Sequence, residues 1–136
     1  MSKILVIDDD PDFLYTVRIV LEGAGFEVET ASTPEEGLGQ VQSTEPDLVV
    51  LDVLMPIGYE GFEVARAIRE ELQMTDLPIV MLTAVHDFKQ VSYRFAPDKD
   101  YLPVDVFLDK PIDLETLVEI IKDVLGKRRE EPEHPL

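Results

Sequence analysis

Four apolar residues run directly into three carboxylates and a proline in the stretch Ile4-Leu5-Val6-Ile7-Asp8-Asp9-Asp10-Pro11. A short run that is apolar at every position is typical of a strand buried on both faces of a parallel sheet. Asp10 and Pro11 suit the N-cap and the first position of a helix. The stretch therefore predicts a buried strand that ends in acidic residues and leads into a helix.

The same alternation of an apolar strand and an amphipathic helix recurs along the chain. Further strands are predicted at residues 26–31, 47–51, 78–82 and 106–108. Apolar residues at helical spacing lie between most of them, and a capping box, Thr33-Pro34-Glu35-Glu36, predicts the start of the second helix. The segment 84–105 is the least regular, with room for one short helix around 88–95. Five such strands imply a parallel sheet with helices on both faces.

The end of the chain predicts one more helix and then a tail. Asp113 is a suitable cap, and apolar residues at core spacing follow it as far as Gly126, where we expect the helix to end. Residues 127–136 are charged and contain two prolines, which is typical of a disordered tail. We therefore predict one domain over residues 1–126 and a tail over 127–136.

Composition excludes several classes of function. The chain has 136 residues and no cysteine, so it has no disulfide framework, cysteine-ligated metal or catalytic thiol. Its 12 basic residues oppose 29 acidic ones, giving a net charge of −17, which argues against direct binding to nucleic acid or to an anionic membrane. Neither a signal peptide nor a membrane-spanning stretch is recognisable. We expect a soluble, cytoplasmic protein.

Polar side chains stand where the predicted strands end. Asp8 and Asp9 follow the first strand, Asp52 follows the third, Thr83 follows the fourth, and Lys110 comes just after the fifth. The carboxyl ends of parallel strands meet at one edge of a sheet, so these residues are expected to lie close together. Each of them alone could be an ordinary cap or turn residue. Their combination, each closing its own strand, predicts a functional site.

The residue types at this edge are those that phosphoryl transfer needs. Clustered carboxylates repel one another unless a cation lies between them, and Mg²⁺ prefers oxygen ligands. A hydroxyl from Thr83 and an ammonium from Lys110 suit the oxygens of a phosphoryl group. A carboxylate nucleophile would then form an aspartyl phosphate.

Four motifs together resemble a response-regulator receiver domain, the phospho-acceptor of two-component signalling. They are the stretches 3–11, 47–56 (Asp-Leu-Val-Val-Leu-Asp-Val-Leu-Met-Pro), 78–84 (Pro-Ile-Val-Met-Leu-Thr-Ala) and 107–111 (Phe-Leu-Asp-Lys-Pro). The resemblance covers residues 3 to about 126. It implies a flavodoxin-like, doubly wound, five-stranded parallel sheet with strand order 2-1-3-4-5, here with an irregular or shortened fourth helix.

The resemblance implies a role for each residue of the acidic site. Asp52 would accept a phosphoryl group from a histidine kinase or a phosphotransfer protein of a phosphorelay. Asp9 would bind Mg²⁺ directly and Asp8 largely through water. Asp52 and the backbone carbonyl of Leu54 would complete the protein ligands.

The resemblance also implies a switch and an output. Thr83 would move toward the phosphoryl group, Phe107 would turn inward with it, and Lys110 would pair with the phosphoryl oxygens. The Lys110–Pro111 bond would be cis. The face formed by the fourth helix, fifth strand and last helix would then bind an unidentified downstream protein. Such a chain is modified once per signalling cycle and is not a turnover enzyme.

Two departures from the family pattern lie in the segments that follow Asp52 and Thr83. The stretch 53–60 is one residue longer than usual, and the chain between Thr83 and Lys110 is several residues longer and lacks the usual Gly-Ala-Asp turn.

Two alternative functions stay open. One alternative is a receiver-like binding module that works without phosphorylation. The other is a small phosphatase that uses the Asp8-Asp9-Asp10 run as its nucleophile motif and, unlike a receiver, turns over.

Overall fold

The computed structural model describes residues 2–52, 60–74, 76–83, 106–109 and 113–130. Within these ranges the chain forms five strands and four helices. The strands are β1 (Lys3–Ile7), β2 (Glu27–Ala31), β3 (Leu48–Asp52), β4 (Ile79–Thr83) and β5 (Val106–Asp109). The helices are α1 (Pro11–Gly23), α2 (Pro34–Thr44), α3 (Glu60–Glu70) and α4 (Leu114–Glu130).

The strands form one parallel sheet in the order β2-β1-β3-β4-β5, as predicted. β1 lies between β2 and β3, and Ile7 is level with Ala31 on one side and with Leu51 on the other. The register therefore places the residues that follow Ile7 beside Asp52, the last residue of β3. Every residue of β3 is buried, as its continuous apolar run predicts.

The core has two layers, one on each face of the sheet. Leu5 and Ile7 pack with α2 and α3 on one face, and Ile4 and Val6 pack with α1 and α4 on the other. This division follows from the alternation of side chains along a strand. Fully burying one such aliphatic side chain contributes about 1.5–3 kcal/mol, so both layers hold β1 firmly.

The helix starts follow the predicted capping residues. Asp10 is the N-cap of α1, and its side chain accepts a hydrogen bond from the Asp12 backbone N–H at 3.0 Å. At α2, the Thr33 hydroxyl accepts from the Glu36 N–H at 3.1 Å, and the Glu36 carboxylate accepts from the Ser32 N–H at 2.8 Å. Both starts lie at the edge of the sheet where β1 and β3 end.

The end of α4 differs from the sequence-based expectation. The helix continues through Gly126 to Glu130, so the prediction that it ends at Gly126 is wrong. Gly126 is exposed, and a Cβ atom added there would have nothing within 4 Å. Glycine in a helix interior costs only about 1 kcal/mol relative to alanine. The residues that follow at 127–129 are lysine and arginine, which have a high helix propensity. The domain boundary at residue 127 stays a prediction.

Some predicted features lie outside the described residues. These are the short helix around 88–95, with the irregular fourth helix it implied, the longer loop after Asp52, and the cis bond between Lys110 and Pro111. None of the helices in the described ranges combines the length and apolar character that crossing a bilayer requires.

Candidate acidic metal-binding site

Three carboxylates converge where β1 and β3 end. Asp8, Asp9 and Asp52 each offer one oxygen, and these oxygens lie within 4.8 Å of one another. Asp8 and Asp52 are buried, with 1% and 4% of their surface exposed, whereas Asp9 is exposed. The structure thus brings together the three carboxylates that the sequence pattern assigned to a metal site.

The Asp8 carboxylate is held by the backbone around it. Its Oδ1 accepts a hydrogen bond from the Asp10 N–H at 2.9 Å, and its own N–H donates to the Ala31 carbonyl at 3.0 Å. The first contact folds the chain sharply after β1. The second ties Asp8 to the end of β2. Because of both contacts, Asp8 has a defined position before any ligand arrives.

Asp10 is adjacent in sequence but is used differently. Its side chain accepts from the Asp12 N–H at the start of α1. Among the described residues, the carboxylates that come together are those of Asp8, Asp9 and Asp52. The run of three aspartates thus divides into two candidate ligands and one helix cap.

The electrostatics of the cluster favour a divalent cation. Two unit charges about 5 Å apart repel by about 3 kcal/mol at an effective dielectric constant of about 20. Asp8 and Asp52 are also shielded from solvent, which weakens their hydration. The cluster supplies only oxygen donors and opens to water at Asp9, which fits Mg²⁺, an ion that keeps several water ligands.

The other predicted site residues differ in how far the structure describes them. Thr83 is the last residue of β4 and is level with Asp109, so its backbone lies at the same edge of the sheet as the acidic cluster. Phe107 lies in β5, level with Met81. Their roles as switch residues stay predictions. Leu54, Lys110 and Pro111 lie outside the described residues.

Two features of the described residues were not predicted from the sequence. The hydrogen bond from Asp8 to the Ala31 carbonyl depends on the register between β1 and β2, which no local motif reveals. Tyr15 and Ile19, one turn apart on α1, are 69% and 53% exposed. The only sequence signal for that exposure is that neither residue belongs to the helical repeat of Leu14, Val17 and Leu21, which forms the apolar face of α1.

Comparison with known proteins places these observations in a family context. The family model for the response regulator receiver domain matches residues 4–122. The protein PilH of Pseudomonas aeruginosa is 30% identical over 127 residues, which cover 93% of this chain and 99% of PilH. The DNA-binding dual master transcriptional regulator RpaA of Synechocystis is 32% identical over 93% of this chain, and the chain spans 50% of its length. It likewise spans 54% of the DNA-binding response regulator MtrA of Mycolicibacterium smegmatis.

Solved structures agree with the fold. A CheY-like receiver domain from Methanospirillum hungatei superposes with a TM-score of 0.82 at 25% identity, covering 96% of this chain and 98% of that one. The chemotaxis protein CheY4 of Vibrio cholerae superposes with a TM-score of 0.76 at 33% identity, covering 91% of this chain and 98% of that one.

Proposed function

This chain belongs to the response regulator receiver family, and we propose that it is a phosphorylation-dependent signalling switch whose phospho-acceptor is Asp52. One observation carries the proposal. The buried Asp52 carboxylate ends β3 within 4.8 Å of two further carboxylates, in the arrangement that a Mg²⁺-assisted acceptor requires.

The residues divide the chemistry among them. Asp8, Asp9, Asp52 and the Leu54 carbonyl would hold Mg²⁺, which when bound would neutralise the carboxylates and orient the phosphoryl oxygens. An Asp52 oxygen attacks the phosphorus of a phosphohistidine, a new P–O bond forms, and the P–N bond to the donor imidazole breaks. The donor is a histidine kinase or a phosphotransfer protein.

Phosphorylation then changes which contacts are available. The phosphoryl group adds negative charge beside the acidic cluster. The Lys110 ammonium and the Thr83 hydroxyl gain partners that exist only in the modified state, which is the condition for a shift between two conformations. Phe107 turns inward as Thr83 moves. The altered face, between residue 84 and the last helix, binds a downstream protein.

The acidic composition bears on the kind of partner. Relatives such as RpaA and MtrA are named as DNA-binding regulators, and this chain spans about half of their length. A domain with a net charge of −17 repels a phosphate backbone. We therefore assign protein contacts, and no direct DNA contact, to this domain.

The experiment that tests the proposal is intact mass spectrometry after incubation with acetyl phosphate and Mg²⁺. We expect one added phosphoryl group on the wild type and none on Asp52→Asn. The matched control is Asp10→Asn, which removes a charge from the same edge of the sheet. It should still be labelled, because Asp10 caps α1 and asparagine caps a helix about as well as aspartate.

Two results would overturn the proposal, each in favour of one alternative. An unlabelled wild type that still binds Mg²⁺ would indicate a receiver-like module that works without phosphorylation. Continuous phosphate release that survives Asp52→Asn and stops in Asp8→Asn would indicate a phosphatase with an aspartate nucleophile.

A further inference from the structure

α2 lies against the carboxyl end of β1 at a glycine. A Cβ atom added at Gly37 would lie 2.5 Å from Ile7 Cδ1, 3.0 Å from Cγ1 and 3.1 Å from Cγ2. Favourable carbon–carbon contacts lie at about 3.5–4.0 Å, so a side chain at position 37 does not fit without movement. Gly39, in the same helix, has nothing within 4 Å of the equivalent position. The requirement for glycine is therefore specific to position 37.

Ile7 has little room to yield. Its side chain is fully buried and packs in the same layer as Ala31, Leu51 and Met81. Cδ1 can turn about χ2, but Cγ1 and Cγ2 are fixed by χ1, which is stiff in a β-branched residue. The backbone of Ile7 is paired with strands on both sides. A side chain at position 37 would therefore displace either the end of β1 or α2 itself.

Either displacement would disturb the position of Asp8. Ile7 is its neighbour in the chain, so a shift at the end of β1 moves Asp8 directly. α2 is joined to Asp8 through the end of β2. Asp8 donates to the Ala31 carbonyl, and the α2 capping box begins at the next residue with the hydrogen bond from Ser32 to Glu36. A shift of α2 is therefore transmitted to the same hydrogen bond.

We propose that Gly37 is a positioning residue for the acidic metal site: by leaving space for Ile7, it holds the Asp8 carboxylate beside Asp9 and Asp52. This inference rests on the proposed function, because it assumes that the cluster binds Mg²⁺. Gly37 acts through Ile7 and does not itself touch the ion.

The test is a Mg²⁺ titration followed by backbone amide NMR, which reports folding and affinity in the same spectra. We expect Gly37→Ala to bind Mg²⁺ about tenfold more weakly than the wild type, the lower end of what loss of outer-shell support costs a metal site. Gly39→Ala removes a glycine from the same helix without a clash and should match the wild type within about twofold.

A second substitution separates an effect on the position of Asp8 from a general loss of stability. Ile7→Val removes Cδ1, the atom nearest to the added methyl group. In the Ile7→Val background, Gly37→Ala should weaken Mg²⁺ binding by clearly less, because the shortest of the three contacts is removed while those to the two γ carbons remain. An equal loss in both backgrounds would show that Gly37 does not act through Ile7 and would overturn the inference.

The metal-free protein offers an independent readout. Hydrogen exchange at the Asp8 amide should be faster in Gly37→Ala than in Gly39→Ala, because its bond to the Ala31 carbonyl is disturbed. If Gly37→Ala unfolds, the titration is repeated in a stabilising osmolyte for all variants.

Different results would contradict the proposed function and the role of Gly37. A wild type that binds no Mg²⁺ would contradict the proposed function. A wild type that binds Mg²⁺ with the same affinity as Gly37→Ala would contradict only the role of Gly37.

Discussion

Asp8, Asp9 and Asp10 are consecutive in the chain, yet each meets a different environment. Asp8 is buried and accepts a backbone hydrogen bond, Asp9 faces solvent, and Asp10 caps α1. The chain leaves β1 at Asp8 and begins a helix within three residues, so successive side chains point in different directions. A run of identical residues therefore supplies two kinds of candidate ligand position and one cap.

The close approach of the carboxylates predicts an effect of Asp8→Asn on stability. Asparagine keeps Oδ1 as the acceptor for the Asp10 N–H but removes one charge from the cluster. In a chelator, we expect the free energy of unfolding to rise by about 1–2 kcal/mol, because repulsion with Asp9 and Asp52 is relieved. Urea unfolding measures this change.

Mg²⁺ should make the wild type more stable than Asp8→Asn, which reverses their order of stability in chelator. A ligand that binds the folded state stabilises it by an amount that rises with the logarithm of its affinity, so the wild type gains more from Mg²⁺ than Asp8→Asn does. Asp10→Asn, whose cap function asparagine retains, is the control and should respond to Mg²⁺ like the wild type. A variant Asp8→Asn that is less stable than the wild type in chelator would contradict the repulsion argument.

The helices begin where sequence motifs predict and do not all end where they predict. The starts of α1 and α2 depend on local hydrogen bonds from Asp10 and Thr33, which a four-residue motif specifies. The end of α4 depends on a balance between the low helix propensity of Gly126 and the favourable residues after it. That balance is small in energy, so a single glycine does not decide it.

Substitution of Gly126 tests whether α4 continues beyond it. With an exposed site and nothing within 4 Å, Gly126→Ala should raise the free energy of unfolding by about 0.5–1 kcal/mol, as alanine favours a helix interior. The comparison is Gly25→Ala, where φ is +97° and alanine is strained. Denaturant unfolding of both variants gives the answer. A loss at Gly126 similar to the loss at Gly25 would indicate that the helix ends there.

At the scale of the whole molecule, a two-layered apolar core carries a strongly acidic chain. The core surrounds β1 and β3 from both faces, while 29 acidic residues oppose 12 basic ones. Self-repulsion of this charge disfavours the compact state. The chain thus folds through its core against an unfavourable electrostatic term.

Salt should therefore stabilise the protein. Raising NaCl from about 10 mM to about 1 M shortens the screening length from about 30 Å to about 3 Å. We expect the melting temperature in chelator to rise by about 4 °C or more, equivalent to about 1 kcal/mol in a domain of this size. Calorimetry measures the shift, with an uncharged osmolyte as control for general exclusion effects. A melting temperature that falls with NaCl would show that favourable ion pairs outweigh the repulsion.

Much of the candidate site is predictable because strand ends are local features. Asp8, Asp9 and Asp52 follow apolar runs that are typical of buried strands, and parallel topology brings such strand ends together. The contact between Gly37 and Ile7 is not predictable in this way. It depends on how closely α2 approaches the sheet, and in the sequence both glycines of α2 look like equally weak helix positions.

The sequence alone determined the order of strands and helices, the acidic strand ends and the family, because apolar periodicity and short motifs encode these locally. Only the tertiary structure decided the register that pairs Asp8 with Ala31, the burial of Asp8 beside an exposed Asp9, and the close approach of Gly37 to Ile7. These features depend on differences of a few tenths of an ångström in the distances between residues that are far apart in the chain. Close packing of the two layers sets those distances, and no local pattern contains them.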